Sequence, residues 1–161
     1  MSEQRVGIGY DSHRYGGTGP LVLGGVEVPE EPGLAGFSDS DLLTHAVIDA
    51  LLGAAALGDI GRHFPDTDPR FENAVSIDLL ARVAALAADR GWRTANVDAT
   101  IVCERPRIAP IAGEISERLA AALGVSSDRV SVKATTNEGM GFVGRGEGMA
   151  TIAVVLLERG E

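Results

Sequence analysis

The chain has 161 residues, of which 45% are hydrophobic and 23% charged. That is the composition of one globular domain, here residues 1–161, and it excludes intrinsic disorder. The formal charge of −9 has the wrong sign for a general binder of nucleic acid or of anionic membranes.

In chain order, residues 5–12 predict a first strand. LVLGGVEVP (21–29) predicts an extended segment bent at Gly24-Gly25. A loop at 33–39 leads into a helix over about 40–57, with Ser38, Asp39 or Ser40 as its cap. Residues 58–74, rich in Gly, Pro and Asp, predict a long surface loop. A second helix at 75–90 stops at Gly91. A strand at 93–104, a Pro-restrained loop at 104–110, a helix at 109–123 and a strand at 128–136 follow. A glycine loop and a last strand at 149–158 complete the chain. The order β-β-α-α-β-α-β-β predicts an α+β fold: a mixed sheet with helices on one face, of split βαβ, ferredoxin-like type, the split motif running from the second helix to the strand at 128–136. Cys103 is the only cysteine, so no intrachain disulfide forms, and no apolar run approaches the ~20 residues of a spanning helix. A cytoplasmic protein is expected.

Five groups of residues could carry chemistry. Asp11 and His13 are i and i+2 on a strand and share a face. With His45 from the first helix they would make an Asp-His-His set, the pattern of catalytic zinc with a fourth position open. The spacing equally fits a turn-capping His13 and a hydrogen-bonded core His45. Asp41, His45 and Asp49 lie on one helical stripe, so a carboxylate there is expected to orient the imidazole. His63, in a Gly/Pro loop, reads as a surface residue. FSDSD (37–41) reads as capping or as a phosphate-receiving helix N-terminus. The loop with Asp59, Asp66 and Asp68 is either a mobile wall over a substrate or a solvated acidic loop. KATTNEGMGFVGRGEG (133–148) places Lys133, Thr135, Thr136 and Glu138 at a strand end before five glycines. Its hydroxyls and bare N–H groups suit phosphate, Glu138 suits magnesium, and Arg145 suits a diphosphate; a tight glycine hairpin is the other reading. ERPRIAP (104–110) is a base-reading loop or a plain connection.

Taken together, GYDSH (9–13), SDSDLLTHAVIDALLGAAALGDIG (38–61), FPDTDP (64–69), NVDATIVCERPRIAP (96–110) and VKATTNEGMGFVGRGEG (132–148) resemble the 2-C-methyl-D-erythritol 2,4-cyclodiphosphate synthase family over residues 5–158. The resemblance implies a homotrimeric phosphorus–oxygen lyase of the non-mevalonate isoprenoid route, with active sites between subunits. Its substrate is a cytidine diphosphate derivative, cyclised with loss of CMP. It implies Zn2+ or another divalent transition metal at Asp11, His13 and His45, and Mg2+ or Mn2+ at Glu138. Asp59, Ile60 and Gly61 with Phe64, Pro65, Asp66, Thr67 and Asp68 match the wall around the methylerythritol. Cys103, Glu104, Arg105, Pro106, Arg107, Ile108 and Ala109 match the cytidine pocket, together with Thr135 and the neighbouring Lys133 and Asn137. Phe142 and Arg145 match the rim of a cavity on the threefold axis, with an isoprenoid diphosphate as the candidate occupant. Thr136 matches a transition-state stabiliser.

Three positions depart from the family pattern. Phe37 stands where members typically carry a histidine thought to support the transition state, so Ser38 is expected to take over part of that role. Ser40 replaces a glycine, and Asn137 a common threonine. Two other readings stay open: a non-catalytic trimer that binds nucleotide or isoprenoid diphosphate, consistent with Phe37, and a zinc phosphohydrolase using water.

Overall fold

A computed structural model describes residues 3–159. Its strands are β1 (Glu3–Arg14), β2 (Leu21–Leu23), β3 (Val26–Val28), β4 (Arg93–Val102), β5 (Val130–Thr135) and β6 (Gly148–Arg159). Its helices are α1 (Leu42–Ala54), the short α2 (Ile60–His63), α3 (Ser76–Ala88), α4 (Ala112–Leu123) and the single-turn α5 (Gly141–Gly144). Four strands form a mixed sheet in the order β1-β6-β4-β5. β6 runs antiparallel to both β1 and β4, and β4 is parallel to β5. The split motif therefore lies elsewhere than the sequence suggests. β1 and β4 are the parallel pair with a strand inserted between them, whereas β4-α4-β5 is a direct crossover between neighbours.

Helix α1 packs on β1 and β6, α4 packs on β5, and α3 packs against both helices. The core between the layers includes Leu42, Ile48, Leu51, Leu80, Ile101 and Ile115, all fully buried. The other sheet face carries Val6, Ile8 and Tyr10 of β1 beside Ile152 and Val154 of β6, and all five are exposed. Among the described residues no helix is long and apolar enough to cross a membrane.

One contact fixes the helix–sheet distance. A Cβ on Gly9 would lie 1.9 Å from the Ala46 carbonyl oxygen, and one on Gly7 the same distance from that of Ala50. Ala46 and Ala50 are i and i+4 on α1, so helix backbone rests directly on strand backbone. Because the obstructing atoms are main chain, Gly9→Ala is expected to cost about 3 kcal/mol or more, beyond ordinary overpacking. A lowered urea midpoint checks this.

Element ends differ from expectation for local reasons. Helix α1 starts at Leu42 because Ser40 is left-handed (φ 59°). Its cap is Asp41, not Ser38, Asp39 or Ser40: Asp41 accepts the Thr44 N–H at 3.0 Å. The same buried carboxylate accepts the N–H groups of Gly24 (2.9 Å) and Gly25 (2.8 Å) and the Thr44 hydroxyl (2.7 Å). Gly24 and Gly25, with φ of 58° and 76°, form a two-residue hairpin turn, so 21–29 is two short strands rather than one bent segment. Within 58–74, Asp59 caps α2 and Asp68 caps a 3-10 turn at Pro69–Phe71, so that stretch is not all loop. Helix α4 begins at Ala112 rather than 109, because Pro110 lacks an N–H and the chain first turns from Ile108 to Ile111. A 3-10 turn occupies Ser127–Arg129, so β5 starts at Val130. The glycine loop is no hairpin, since β5 and β6 are not neighbours; it holds α5 instead.

Candidate metal centre and active site

Asp11 and His13 leave β1 on the side facing α1. His45 leaves α1 one residue before Ala46, the residue resting on Gly9. Close backbone packing thus delivers three side chains to one point. Their ligand atoms lie within 4.8 Å of one another. His13 Nε2 is 3.0 Å and His45 Nδ1 3.1 Å from the same Asp11 Oδ2.

The chemistry of this donor set fits a cation. His13 Nδ1 lies 2.7 Å from the Ala35 carbonyl oxygen. That oxygen only accepts, so Nδ1 carries the hydrogen and Nε2 turns a lone pair toward Asp11. A lone pair and a carboxylate oxygen at 3.0 Å repel unless positive charge, a proton or a metal, lies between them. One carboxylate oxygen and two imidazole nitrogens form a three-ligand set for a divalent ion with a position left open. Where a proton rather than a metal fills that gap, burial of the Asp11 carboxylate is outweighed by hydrogen bonds from His13 and His45, which hold its pKa at about 2. The bond to Asp11 pushes the His13 imidazole up, against the effect of its burial.

Neither carboxylate on the α1 stripe orients His45. Asp41 is consumed at the helix start and the β2–β3 turn. It also fills the α1 N-terminus, leaving no room there for a phosphate. Asp49 accepts the Ile60 N–H at 2.7 Å and ties α2 to α1. Both found backbone donors nearer than the imidazole. His45 Nε2 instead faces Ser76 Oγ at 2.8 Å and Ser38 Oγ at 3.2 Å. Sequence reasoning missed Ser76, the first residue of α3, because nothing local ties it to a residue 31 positions away.

A cavity of about 440 Å³ opens on the ligands His13 and His45. Phe37, Ser38, Ile60, Gly61, Phe64 and Asp66 line it, with Phe71 and Leu79, which the sequence did not single out. The lining does not include Asp59, Pro65, Thr67 or Asp68. The Asp59 carboxylate accepts the Arg62 N–H, and Asp68 is paired with Arg70 at 2.6 Å. His63 is half-buried rather than on the surface, since its Nε2 bonds the Leu57 carbonyl at 2.8 Å.

A second cavity, about 600 Å³, lies at the ends of β4 and β5. One wall is Cys103, Glu104, Pro106, Arg107, Ile108 and Ala109; the other includes Lys133, Thr135 and Thr136. The two cavities share no lining residue. Burial pushes the Cys103 thiol up to about 11. Lys133 is paired with Asp98. The Glu104 carboxylate accepts the N–H groups of Asn137 (3.0 Å) and Gly139 (3.3 Å), which clamps the turn carrying Glu138. Glu138 sits at φ 51°. Among the described residues no cation pairs with its carboxylate. Arg105 and Arg145 border another cavity with Tyr15, and Arg145 is engaged by Glu147 at 2.9 Å. Phe142 faces a cavity of about 530 Å³ beside Ser12, Arg14 and Tyr15.

An α+β scaffold with three side chains that could hold a cation at the edge of one cavity and a glycine-rich turn beside another has the architecture of an enzyme. The chain belongs to the YgbB family, whose model matches residues 4–158. It is 58% identical over 152 residues to the 2-C-methyl-D-erythritol 2,4-cyclodiphosphate synthase of Symbiobacterium thermophilum, covering 94% of this chain and 97% of that protein. It is 59% identical over 153 residues to the bifunctional enzyme IspD/IspF of Anaeromyxobacter dehalogenans, covering 95% of this chain but only 39% of that longer protein. Among solved structures, the bifunctional IspDF from Campylobacter jejuni superposes with a TM-score of 0.96 at 38% identity, over 100% of this chain and 44% of that one. IspF from Plasmodium falciparum, in a CDP complex, superposes with a TM-score of 0.85 at 28% identity, over 98% and 97%.

Proposed function

We propose that this chain converts 4-diphosphocytidyl-2-C-methyl-D-erythritol 2-phosphate to 2-C-methyl-D-erythritol 2,4-cyclodiphosphate and CMP, as a homotrimer with each active site between two copies. The observation that carries the reading is the convergence of two imidazole nitrogens and one carboxylate oxygen beside a cavity lined by the 60–66 segment. In the reaction an oxygen of the substrate's 2-phosphate bonds to the β-phosphorus. The bond from that phosphorus to the bridging oxygen breaks, and CMP leaves with the oxygen and its electron pair. The substrate supplies its own nucleophile, so the chain's part is alignment and charge stabilisation. Alignment of an internal attack is worth roughly 7–11 kcal/mol.

Asp11, His13 and His45 would hold zinc and Glu138 magnesium or manganese, which supply polarisation of phosphate oxygens and neutralisation of charge on the leaving group. Ile60, Gly61, Phe64 and Asp66 enclose the methylerythritol, with Asp59, Pro65, Thr67 and Asp68 shaping the segment that bears them. The 103–109 loop with Lys133 and Thr135 receives the cytidine. Asn137, held by Glu104, presents Glu138 and the Thr136 hydroxyl to the phosphates. Two features support an assembly. The two cavities are separate within one chain, and the sheet face opposite the helices is an exposed apolar surface of the kind that marks protein–protein contact. Phe142 and Arg145 lie on the side expected to face an axial cavity, where an isoprenoid diphosphate is the candidate occupant.

Phe37 lines the metal cavity, and Ser38 Oγ lies 3.2 Å from His45 Nε2. With a hydroxyl already there, Phe37→His is expected to change kcat by less than about tenfold. A gain near the ~10²–10³ contributed by one well-placed oxyanion donor would show that the missing donor limits the enzyme. The reading itself is tested by phosphorus NMR of purified protein with Zn2+, Mg2+ and the substrate. Cyclic diphosphate plus CMP supports it. Tight binding without turnover indicates a non-catalytic trimer, and an acyclic phosphate product indicates a hydrolase.

A further inference from the structure

Segments 37–39 and 73–76 lie side by side. The Asn73 N–H donates to the Phe37 carbonyl at 3.0 Å, and the Asp39 N–H donates to that of Ala74 at 3.1 Å. This pairing places Asp39 at the start of α3. Its carboxylate accepts the Ser76 N–H at 2.9 Å and also the Ser76 hydroxyl. Ser76 is fully buried.

The direction of each bond follows from the donor inventory. An ionised carboxylate only accepts, and a serine hydroxyl has one hydrogen to give. That hydrogen goes to Asp39, so Ser76 Oγ offers only lone pairs to His45 Nε2, 2.8 Å away. Nε2 must therefore carry the imidazole hydrogen. Nδ1 is then left as a lone pair 3.1 Å from Asp11 Oδ2. His13 is fixed in the complementary sense by the Ala35 carbonyl.

We propose that Asp39 and Ser76 are positioning residues that lock the tautomer of His45, holding its hydrogen on Nε2 so that Nδ1 faces the cation. This rests on the reading of Asp11, His13 and His45 as a metal site. The second hydroxyl near Nε2, that of Ser38, is the more distant of the two and lines the cavity, so the buried pair makes the constant contact. A partner of this kind is worth about 10- to 100-fold in metal affinity. Asp39 also stands as an anion at the positive end of α3, so the same carboxylate couples that helix to the metal ligand.

The test is zinc affinity of the full-length protein by competition with a chromophoric chelator, for wild type, Ser76→Ala and Asp39→Asn. Both variants are expected to bind zinc about 10- to 100-fold more weakly. A purely structural cap predicts otherwise for Asp39→Asn, because asparagine caps a helix about as well as aspartate. Wild-type affinity in folded variants overturns the proposal. A second measurement needs no variant: nitrogen-15 NMR of the histidines in metal-free wild type at alkaline pH is expected to show hydrogen on His45 Nε2. Hydrogen on Nδ1 overturns the proposal. Wild type that takes up no zinc overturns the metal reading and this proposal with it. Tight wild-type binding with unchanged variants overturns this proposal alone.

Discussion

Asp11→Asn is expected to abolish turnover while leaving the fold intact. Asp11 Oδ2 is the one oxygen that both His13 Nε2 and His45 Nδ1 face, and Oδ1 is already engaged by the Ser12 N–H at 2.9 Å. Asparagine keeps the shape and that backbone bond, but it turns an N–H group toward the imidazoles. The position meant for a cation then receives a hydrogen-bond donor, and the charge that would hold the ion is gone. Polarisation by a bound metal is worth several kcal/mol of transition-state stabilisation. At 1.36 kcal/mol per tenfold, kcat should fall by at least about 10³-fold. Steady-state kinetics with saturating Zn2+ and Mg2+ measure the loss, and an unchanged near-UV circular dichroism spectrum shows that the fold persists. Loss of less than tenfold would mean that the carboxylate is not a ligand in the working enzyme.

Ile152→Asp is expected to do equal damage from the sheet face opposite the ligands. Ile152 stands opposite Tyr10 across the β1–β6 ladder and next to the Ile8–Val154 pair, on the sheet face that no helix covers. β6 is an interior strand of the sheet. A carboxylate in this apolar face cannot be accommodated once another copy covers it, since burying an unpaired charge costs several kcal/mol. Light scattering coupled to size exclusion is expected to show single chains in place of the proposed trimer, and turnover should fall below detection because the proposed site draws one cavity from each of two copies. A complementation experiment extends the same prediction. Asp11→Asn and Glu138→Gln chains, each inactive alone, are mixed in equal amounts, unfolded and reassembled together. One interface in two has an intact metal half, and one in two an intact cytidine half. Random assembly should therefore recover roughly a quarter of wild-type activity. No recovery would place both halves of the site on one chain.

The sequence revealed the site's ligands better than their supports. Asp11 and His13 are legible from the two-residue period of a strand. Spacing offers His45 both as a third ligand and as a core histidine, and a lone histidine on a helix carries no local sign of its partner to decide between them. What placed it was the Gly7/Gly9 pair under Ala46 and Ala50, a contact between elements more than 30 residues apart in sequence. Asp41 and Asp49 misled for the opposite reason. Their helical spacing from His45 was real, but backbone N–H groups of Gly24, Gly25 and Ile60, supplied by distant loops, claimed both carboxylates first. Ser76 and the clamp of Glu104 on the Asn137–Gly139 turn were invisible because each joins segments brought together only by the fold. The sheet itself was legible in composition and class but not in order. The apolar run at 149–157 marks a strand; nothing in those residues says that it inserts between β1 and β4.

The most direct measurement is anomalous X-ray diffraction at the zinc edge from crystals of the zinc-loaded protein. The account predicts one strong peak per chain, within about 2.0–2.2 Å of Asp11 Oδ2, His13 Nε2 and His45 Nδ1. Fully loaded crystals with no peak there, or with zinc held only by other residues, would contradict it.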